Sequence, residues 1–421
     1  MSTAHTVLET FLGALQGTVS VLLTFLAGYI VARRGTVDQA TIKHISNLCT
    51  SLFLPSLLVV QMGPELTASS LARYWIIPLW GLATTVLAHL VGWAGQRLFG
   101  LKHWTIVACG RPNSNALPLL LLQSLEATGV LELLSADGEN VAETLRRAQS
   151  LLLLNAVVQQ VLTFQFAPAV LLLDDGHSKP LPDALRPGPG RLLPIVQDEE
   201  RVGLLGDQED DERDEDAVGG NGIGDALIPI AEIPDMHWPK PIAPLAKPVK
   251  LVWSYMSAPL IGAIIAFILG MIPPLHREFL VKGGIFYASI TQSAKNLGGI
   301  FIALQTFSVG AELGLVPSSN PGYFQTIWVL LVRFIVMPAL GLLFVWATAG
   351  RGLYVHDPLV WFLLVLIPAG PSAMLLMNVA AMVNIDQGPI AGYLTVAYLL
   401  SPLMAIVCSL GLTIVQTAEQ R

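Results

Sequence analysis

Ten stretches of this chain, between 22 and 27 residues long, are rich in apolar side chains: 8–32, 40–62, 74–99, 103–125, 148–173, 251–272, 284–308, 323–348, 359–382 and 389–415. At about 1.5 Å rise per residue, each is long enough to cross a hydrocarbon layer about 30 Å thick. Such a layer holds no water, so every backbone N–H and C=O must bond within the chain, and runs of this length do so as α-helices. With 53% hydrophobic and 13% charged residues, the chain has too little polar surface to hide these runs in a soluble core. The expected fold class is an all-α polytopic membrane protein with ten transmembrane helices.

The first stretch is long and lacks a small-residue cleavage site, so it reads as a retained helix rather than a leader. Cys49, Cys109 and Cys408 fall inside stretches, which excludes a disulfide framework and leaves them as packing residues. Trp75, Trp104, Trp253 and Trp361 sit near stretch ends, as an interfacial aromatic belt places them.

Two stretches in opposite halves are broken at matching depth. The fourth contains Cys109-Gly110-Arg111-Pro112-Asn113-Ser114-Asn115-Ala116-Leu117-Pro118, and the ninth Pro368-Ala369-Gly370-Pro371-Ser372-Ala373-Met374. Before the first proline run His103–Arg111 and Leu359–Ile367, each roughly 14 Å of helix, which reaches the bilayer midplane. Interrupted helices at corresponding positions of two halves are the best sequence pointer to a transporter's binding site. The half-helices that start after the breaks aim N-termini, each about half a positive charge, at one central point. Asn113, Ser114, Asn115 and Ser372 add neutral donors and acceptors there. Pro112, Pro118, Pro368, Gly370 and Pro371 shape the breaks and join them as candidate substrate-binding positions.

Between the fifth and sixth stretches, Asp174 to Lys250 is rich in proline, glycine and acid and has no sustained apolar period, which reads as a disordered linker. Asp198 to Asp216 alone holds 11 acidic and 2 basic residues, a local charge of −9 against −7 for the whole chain. The acidity of the protein therefore belongs to this linker. It divides the chain into a first membrane repeat (1–173), the linker (174–250) and a second repeat (251–421). Five helices per repeat turn the second upside down relative to the first, as an inverted-topology pair requires. Basic residues in the short loops are nearly balanced between sides; the reading adopted has a cytosolic linker and lumenal or extracellular termini.

Apart from Glu9 at the edge of the first, none of the ten stretches contains aspartate or glutamate, whereas Arg111, Lys295 and Arg333 lie well inside them and His89 adds a titratable ring. An intramembrane cation costs about 2.5 to 3.5 kcal/mol and marks a pathway or has a buried partner. With no carboxylate deep inside the stretches, the partners left are carbonyls at broken helix ends, interfacial water or lipid phosphate, and a bound anion. Arg111 immediately precedes the first break, where its planar fork can hold a carboxylate or cap freed carbonyls. Lys295 and Arg333 have the reach to snorkel or bind helix-end carbonyls instead. Asn155, Gln159 and Gln160 in the fifth stretch, and Gln292, Asn296 and Gln305 in the seventh, are interhelical hydrogen-bonding residues or part of a cavity wall.

No P-loop, dinucleotide glycine fingerprint, HExxH or nucleophile elbow is present, and the acidic linker lacks EF-hand spacing. The expectation is no enzyme, no cofactor, no metal and no nucleic-acid partner.

Pro112 to Pro118 with the following Leu-rich run to Gln123-Ser124-Leu125 resembles the fourth span of the fungal branch of the auxin efflux carrier family, the PIN-like carriers. Pro259-Leu260-Ile261-Gly262-Ala263, Ile272-Pro273-Pro274-Leu275-His276, Arg333 to Ala339, Asp357-Pro358-Leu359-Val360-Trp361 and Pro368 to Met374 are similar to its later spans. The resemblance covers both membrane halves and fails in the linker. It implies ten spans in two inverted five-helix repeats, a scaffold of spans one, two, six and seven, and broken spans four and nine that cross. The plant relatives move indole-3-acetate and similar weak acids without evident sodium dependence, and PIN-like members often reside in the endoplasmic reticulum. Two departures stand out: the third span has His89 but no acid, and Arg111 sits where many relatives have an uncharged residue.

These readings combine into a carrier, in the endoplasmic reticulum membrane rather than the plasma membrane, that exports or sequesters amphipathic organic anions such as auxin-like indole carboxylates. Its partners are the anion and the lipid bilayer, and a homodimer is compatible with such a chain. The rivals are a cation-coupled symporter or antiporter of the same architecture, disfavoured by the lack of carboxylates deep inside the stretches, and a non-transporting sensor or scaffold.

Overall fold

A computed structural model describes residues 3–114, 116–136, 138–173, 257–383 and 385–420, whose regular elements are all helices. The acidic linker (174–250), the start of the sixth stretch (251–256) and Asn115 lie outside the described residues.

The half before the linker opens with α1 (Thr3–Arg33). The second stretch is a helix in two pieces, α2 (Gln39–Leu48) and α3 (Leu54–Met62), joined by a π turn over Cys49–Phe53. Its physical cause is Pro55, which has no N–H to donate and whose ring clashes with the carbonyl of Ser51, so the chain widens by one residue there. After the short α4 (Ala68–Arg73) come α5 (Ile76–Phe99), α6 (Trp104–Gly110), α7 (Ala116–Ala127) and α8 (Val141–Leu171). After the linker, α9 (Ala258–Met271) is followed by a 97° bend into Pro273–Leu280, then by α10 (Gln292–Leu315). The eighth stretch repeats the proline device: α11 (Tyr323–Leu331) and α12 (Met337–Thr348) flank a π turn over Val332–Val336, just before Pro338. The broken ninth stretch is α13 (Pro358–Leu366) and α14 (Leu375–Met382), and the last is α15 (Gly388–Leu399) and α16 (Met404–Glu419).

Six helices among the described residues are long and apolar enough to cross a membrane, or seven with the bent pair at Pro273. Three of the ten stretches fall outside that count: the fifth, which is α8, and the fourth and ninth, whose halves are only 7, 12, 9 and 8 residues long. One expected boundary is wrong in a way that matters. Instead of ending at residue 308, the seventh stretch continues as helix to Leu315 and carries Glu312 with it. The expectation that the membrane helices hold no carboxylate deep inside is thereby overturned; the charge at Glu312 had ended the apolar window, although the helix runs on through Leu313, Gly314 and Leu315.

Helix contacts rest on glycine, as expected where lipid supplies no hydrophobic drive and close van der Waals packing must do so. Gly28 of α1 lies against the Phe307 carbonyl of α10, and Gly310 of α10 against the Phe25 carbonyl of α1, so a side chain at either would collide with the facing backbone. In the same manner α3 is held between α9, where Gly262 abuts Pro55, and α10, where Gly298 abuts Leu57.

The other focus of packing is α13, whose residues Leu359–Leu366 are all buried. Trp80 of α5 donates to the Leu364 carbonyl (2.8 Å) and stacks on Phe344 of α12 at 3.9 Å between ring centroids. At its start Asp357 accepts from the amides of Leu359 (3.0 Å) and Val360 (3.4 Å), satisfying helix donors that have no partner within the helix. Its other oxygen receives Arg147 of α8, which also forks onto Glu139 at 2.9 and 2.6 Å. This cluster fixes the entry of the ninth stretch to the fifth.

Candidate functional site

The two breaks meet. Pro112 and Ser372 pair as an antiparallel β-bridge, closed by Asn113 N–H to the Pro371 carbonyl (2.8 Å) and Ala373 N–H to the Arg111 carbonyl (2.9 Å). Backbone groups that leave a helix within a membrane need partners, and here each break supplies them to the other. Gly370 sits at φ +98°, a conformation that any Cβ disfavours, and this is what turns the chain out of α13 into the bridge. Pro118 lies buried in the first turn of α7, where a missing N–H costs nothing. Pro368 packs its ring beside Gly341 of α12.

The carbonyls freed at the ends of α6 and α13 are taken by Arg333, which is 0% exposed. Its Nε donates to Gly370 (2.9 Å) and Nη1 to Cys109 (3.3 Å), so one guanidinium pins both breaks. Ser372 Oγ donates to the Ala108 carbonyl (2.6 Å) and receives the Tyr393 hydroxyl at 2.6 Å. His89 donates Nδ1 to its own helix at Thr85 (2.7 Å) and lays its ring against Gly110.

Arg111 behaves differently. Its side chain is 2% exposed, yet Nε and Nη1 make no hydrogen bond with any described residue. It lines a cavity beside the bridge with Asn113, Ser114, Gln160, Gln305, Thr306, Glu312, Asn378 and Tyr398. The apolar part of the wall includes Phe25, Leu54, Phe301, Val309, Met374 and Leu375, and the empty space, its mouth included, is about 780 Å³. Asn113 Nδ2 donates to the Tyr398 hydroxyl (3.0 Å), fixing both side chains at the rim of the bridge. The cavity therefore offers one buried guanidinium with free donors, one carboxyl group at Glu312, several neutral polar groups and an apolar wall, and the guanidinium and apolar wall together suit a small amphipathic anion.

Of the residues singled out in the sequence, Arg111, Asn113, Ser114, Gln160 and Gln305 line this cavity, while Pro112, Gly370, Pro371 and Ser372 build the crossing behind it. Gln292, Lys295 and Asn296 do not reach it. They are exposed at the beginning of α10, where Gln292 Nε2 donates to Asn296 Oδ1 (3.1 Å). Asn155 and Gln159 are buried in α8 outside the cavity wall, Asn155 against Gly81 of α5. Sequence reasoning missed Glu312, Asn378 and Tyr398. The heptad-like spacing of Phe301, Gln305, Val309 and Glu312 does place all four on one face of α10, a signal open to anyone who continues the helix past residue 308.

A family profile described as membrane transport protein matches residues 14–409. PIN-LIKES 4 of Arabidopsis thaliana is 26% identical over 397 residues, covering 87% of this chain and 89% of its own. PIN-LIKES 3 of the same plant is 22% identical, covering 87% and 88%. An uncharacterised transporter of Schizosaccharomyces pombe is 23% identical over 318 residues, 71% of this chain and 70% of its own. With the profile spanning the helices on both sides of the linker and both breaks, the chain belongs to the membrane transport protein family that includes the PIN-like proteins.

Proposed function

We propose that this membrane transporter carries small amphipathic organic anions, auxin-like indole carboxylates among them, by alternating access without obligatory sodium coupling. The observation that carries the reading is Arg111: a guanidinium buried to 2% exposure, in the wall of a cavity, with two donor nitrogens unbonded to protein. Leaving such a charge unpaired in a low-dielectric site is expensive, and a bound carboxylate relieves it with two charge-assisted hydrogen bonds. The aromatic part of the substrate lies against Phe25, Phe301 and Leu54. Behind the site, Arg333 and the bridge hold the two breaks together, so the ten segments work as two inverted repeats that move the crossing past the α1, α3, α9 and α10 group. In this reading the protein resides in the endoplasmic reticulum membrane with its linker in the cytosol and exports or sequesters its substrate.

Binding of indole-3-acetate and of its uncharged methyl ester to the purified protein tests this. The acid binds and the ester does not, and Arg111→Gln weakens the acid about 10- to 100-fold, the worth of a hydrogen bond to a charged group. Equal binding of acid and ester, or unchanged affinity in Arg111→Gln, would remove the anion from this site.

A further inference from the structure

The cavity that holds Arg111 also holds a carboxylate. Glu312 stands in its wall on α10, and its side chain forms neither a hydrogen bond nor an ion pair with any described residue. It is not the salt-bridge partner of Arg111, whose Nε and Nη1 remain unbonded. The cavity thus has an anion-holding pole and a separate acid within one small, mostly apolar space. The other groups around it leave that acid as the titrating member. Tyr398, close enough to interact electrostatically with Glu312, is a neutral phenol near neutral pH. On α1, Arg33 donates to the Tyr29 hydroxyl (3.2 Å) and is exposed, and Lys43 and His44 of α2 are exposed as well. The π turn over Cys49–Phe53 brings a buried thiol, Cys49, and α3 brings no acid or base. On α7 the one acid, Glu126, lies in the last turn, far from the break. Arg333 and His89 are engaged behind the bridge with carbonyls of their own.

An ionised Glu312 and a bound anion are like charges sharing a poorly screened space, so each weakens the other. Protonating Glu312 removes the repulsion. By linkage, an anion that binds better to the protonated form also raises the proton affinity of Glu312 by the same factor. We infer that Glu312 makes this carrier proton-linked: anion and proton occupy the cavity together and cross in the same direction. The inference rests on the anion site at Arg111 proposed above. The step balances simply. A Glu312 oxygen forms an O–H bond with a proton taken from water on the side where the anion enters, and that bond breaks on the other side, returning the proton to water there. One monoanion and one proton move together, so the cycle carries no net charge.

Titration calorimetry of the full-length purified protein in buffers of differing ionisation heat, between about pH 6 and pH 9, counts protons taken up per anion bound. Two probes are used, indole-3-acetate and naphthalene-2-sulfonate, both ionised throughout this range. The expected result is uptake of up to one proton and an affinity that falls up to about tenfold per pH unit as Glu312 becomes ionised. Glu312→Gln binds the probes with no proton uptake and less than about twofold change across the range, while Glu312→Asp keeps the pH dependence. Binding to the wild type with no proton uptake at any pH, or an uptake that survives in Glu312→Gln, would overturn the inference and leave the anion site standing. Failure of the wild type to bind either probe at any pH would overturn the anion site itself and the proton linkage with it.

Discussion

Two arginines buried near the crossing carry opposite assignments. Arg333 is bonded to the carbonyls of Gly370 and Cys109, and Arg111 reaches neither. From the sequence, either could be a carbonyl cap or an anion ligand, because residue type and depth are visible there but not which broken end a long side chain reaches. The difference predicts separable phenotypes. Arg333→Gln frees two buried carbonyls and destabilises the protein by about 2 to 4 kcal/mol, read as a fall in melting temperature with or without ligand. Arg111→Gln instead removes an unpaired buried charge, so the ligand-free protein keeps or gains stability while anion binding weakens. Outside the membrane, the Glu139 carboxyl is raised by burial but lowered further by the hydrogen bonds and charge of Arg147, and its net position is below the ordinary value of 4.5. A carboxyl depressed in the folded state stabilises it above the unfolded pKa and loses that contribution as pH falls through the folded value. Melting temperature therefore drops as the medium is acidified below about pH 4.5, and the drop is smaller in Glu139→Gln.

Among the elements, α10 shows most clearly what hydropathy can and cannot supply. Gln292 and Asn296 fall on one face, exposed, and Gln305 and Glu312 on the opposite face, in the cavity. Reading polarity without the angular position of each residue treats the two sets alike, and ending the helix where the apolar window ends discards Glu312. Tyr398 was invisible for another reason, since an aromatic hydroxyl in an apolar run looks like packing until its partner, Asn113, is known. The breaks themselves were legible, because clustered proline and glycine cannot continue a helix whatever surrounds them. So were the prolines of the second and eighth stretches, although not their outcome as π turns. Close packing of α1 on α10 predicts that Gly310→Ala, which drives a methyl group into the Phe25 carbonyl, destabilises by about 1 to 3 kcal/mol. A milder effect than Gly28→Ala would show that α10 yields more readily than α1.

At the scale of the whole molecule, the junction between α1 and α7 is where the crossing meets the glycine-packed group. Ser124 of α7 donates to the Gly13 carbonyl of α1 (2.9 Å), and Thr128 packs against the same glycine. If the crossing moves as a body past α1, tying them together arrests transport without touching the cavity. Paired Gly13→Cys and Thr128→Cys substitutions, oxidised in proteoliposomes, should abolish flux of a bound anion and leave its affinity within about twofold; reduction should restore flux. Flux that continues under oxidation would place the moving boundary elsewhere. The five-and-five division rests on segment counts and the family resemblance; the close packing of α3 between α9 and α10, and of α1 on α10, was not readable, because it depends on where glycines of different segments face one another.

The bridge between Pro112 and Ser372 also has a history in time. During synthesis the half before the linker enters the membrane long before residue 372 has been made, and until then the Ala108 and Cys109 carbonyls lack the Ser372 and Arg333 donors that finally satisfy them. The newborn half-protein is thus an incomplete object in lipid, held back from maturity by a partner some 260 residues downstream, as the Ala108–Ser372 separation of 264 shows. Membrane quality control therefore has a clear signal to read: produced as two chains, 1–173 and 251–421 should each be degraded alone and persist when made together.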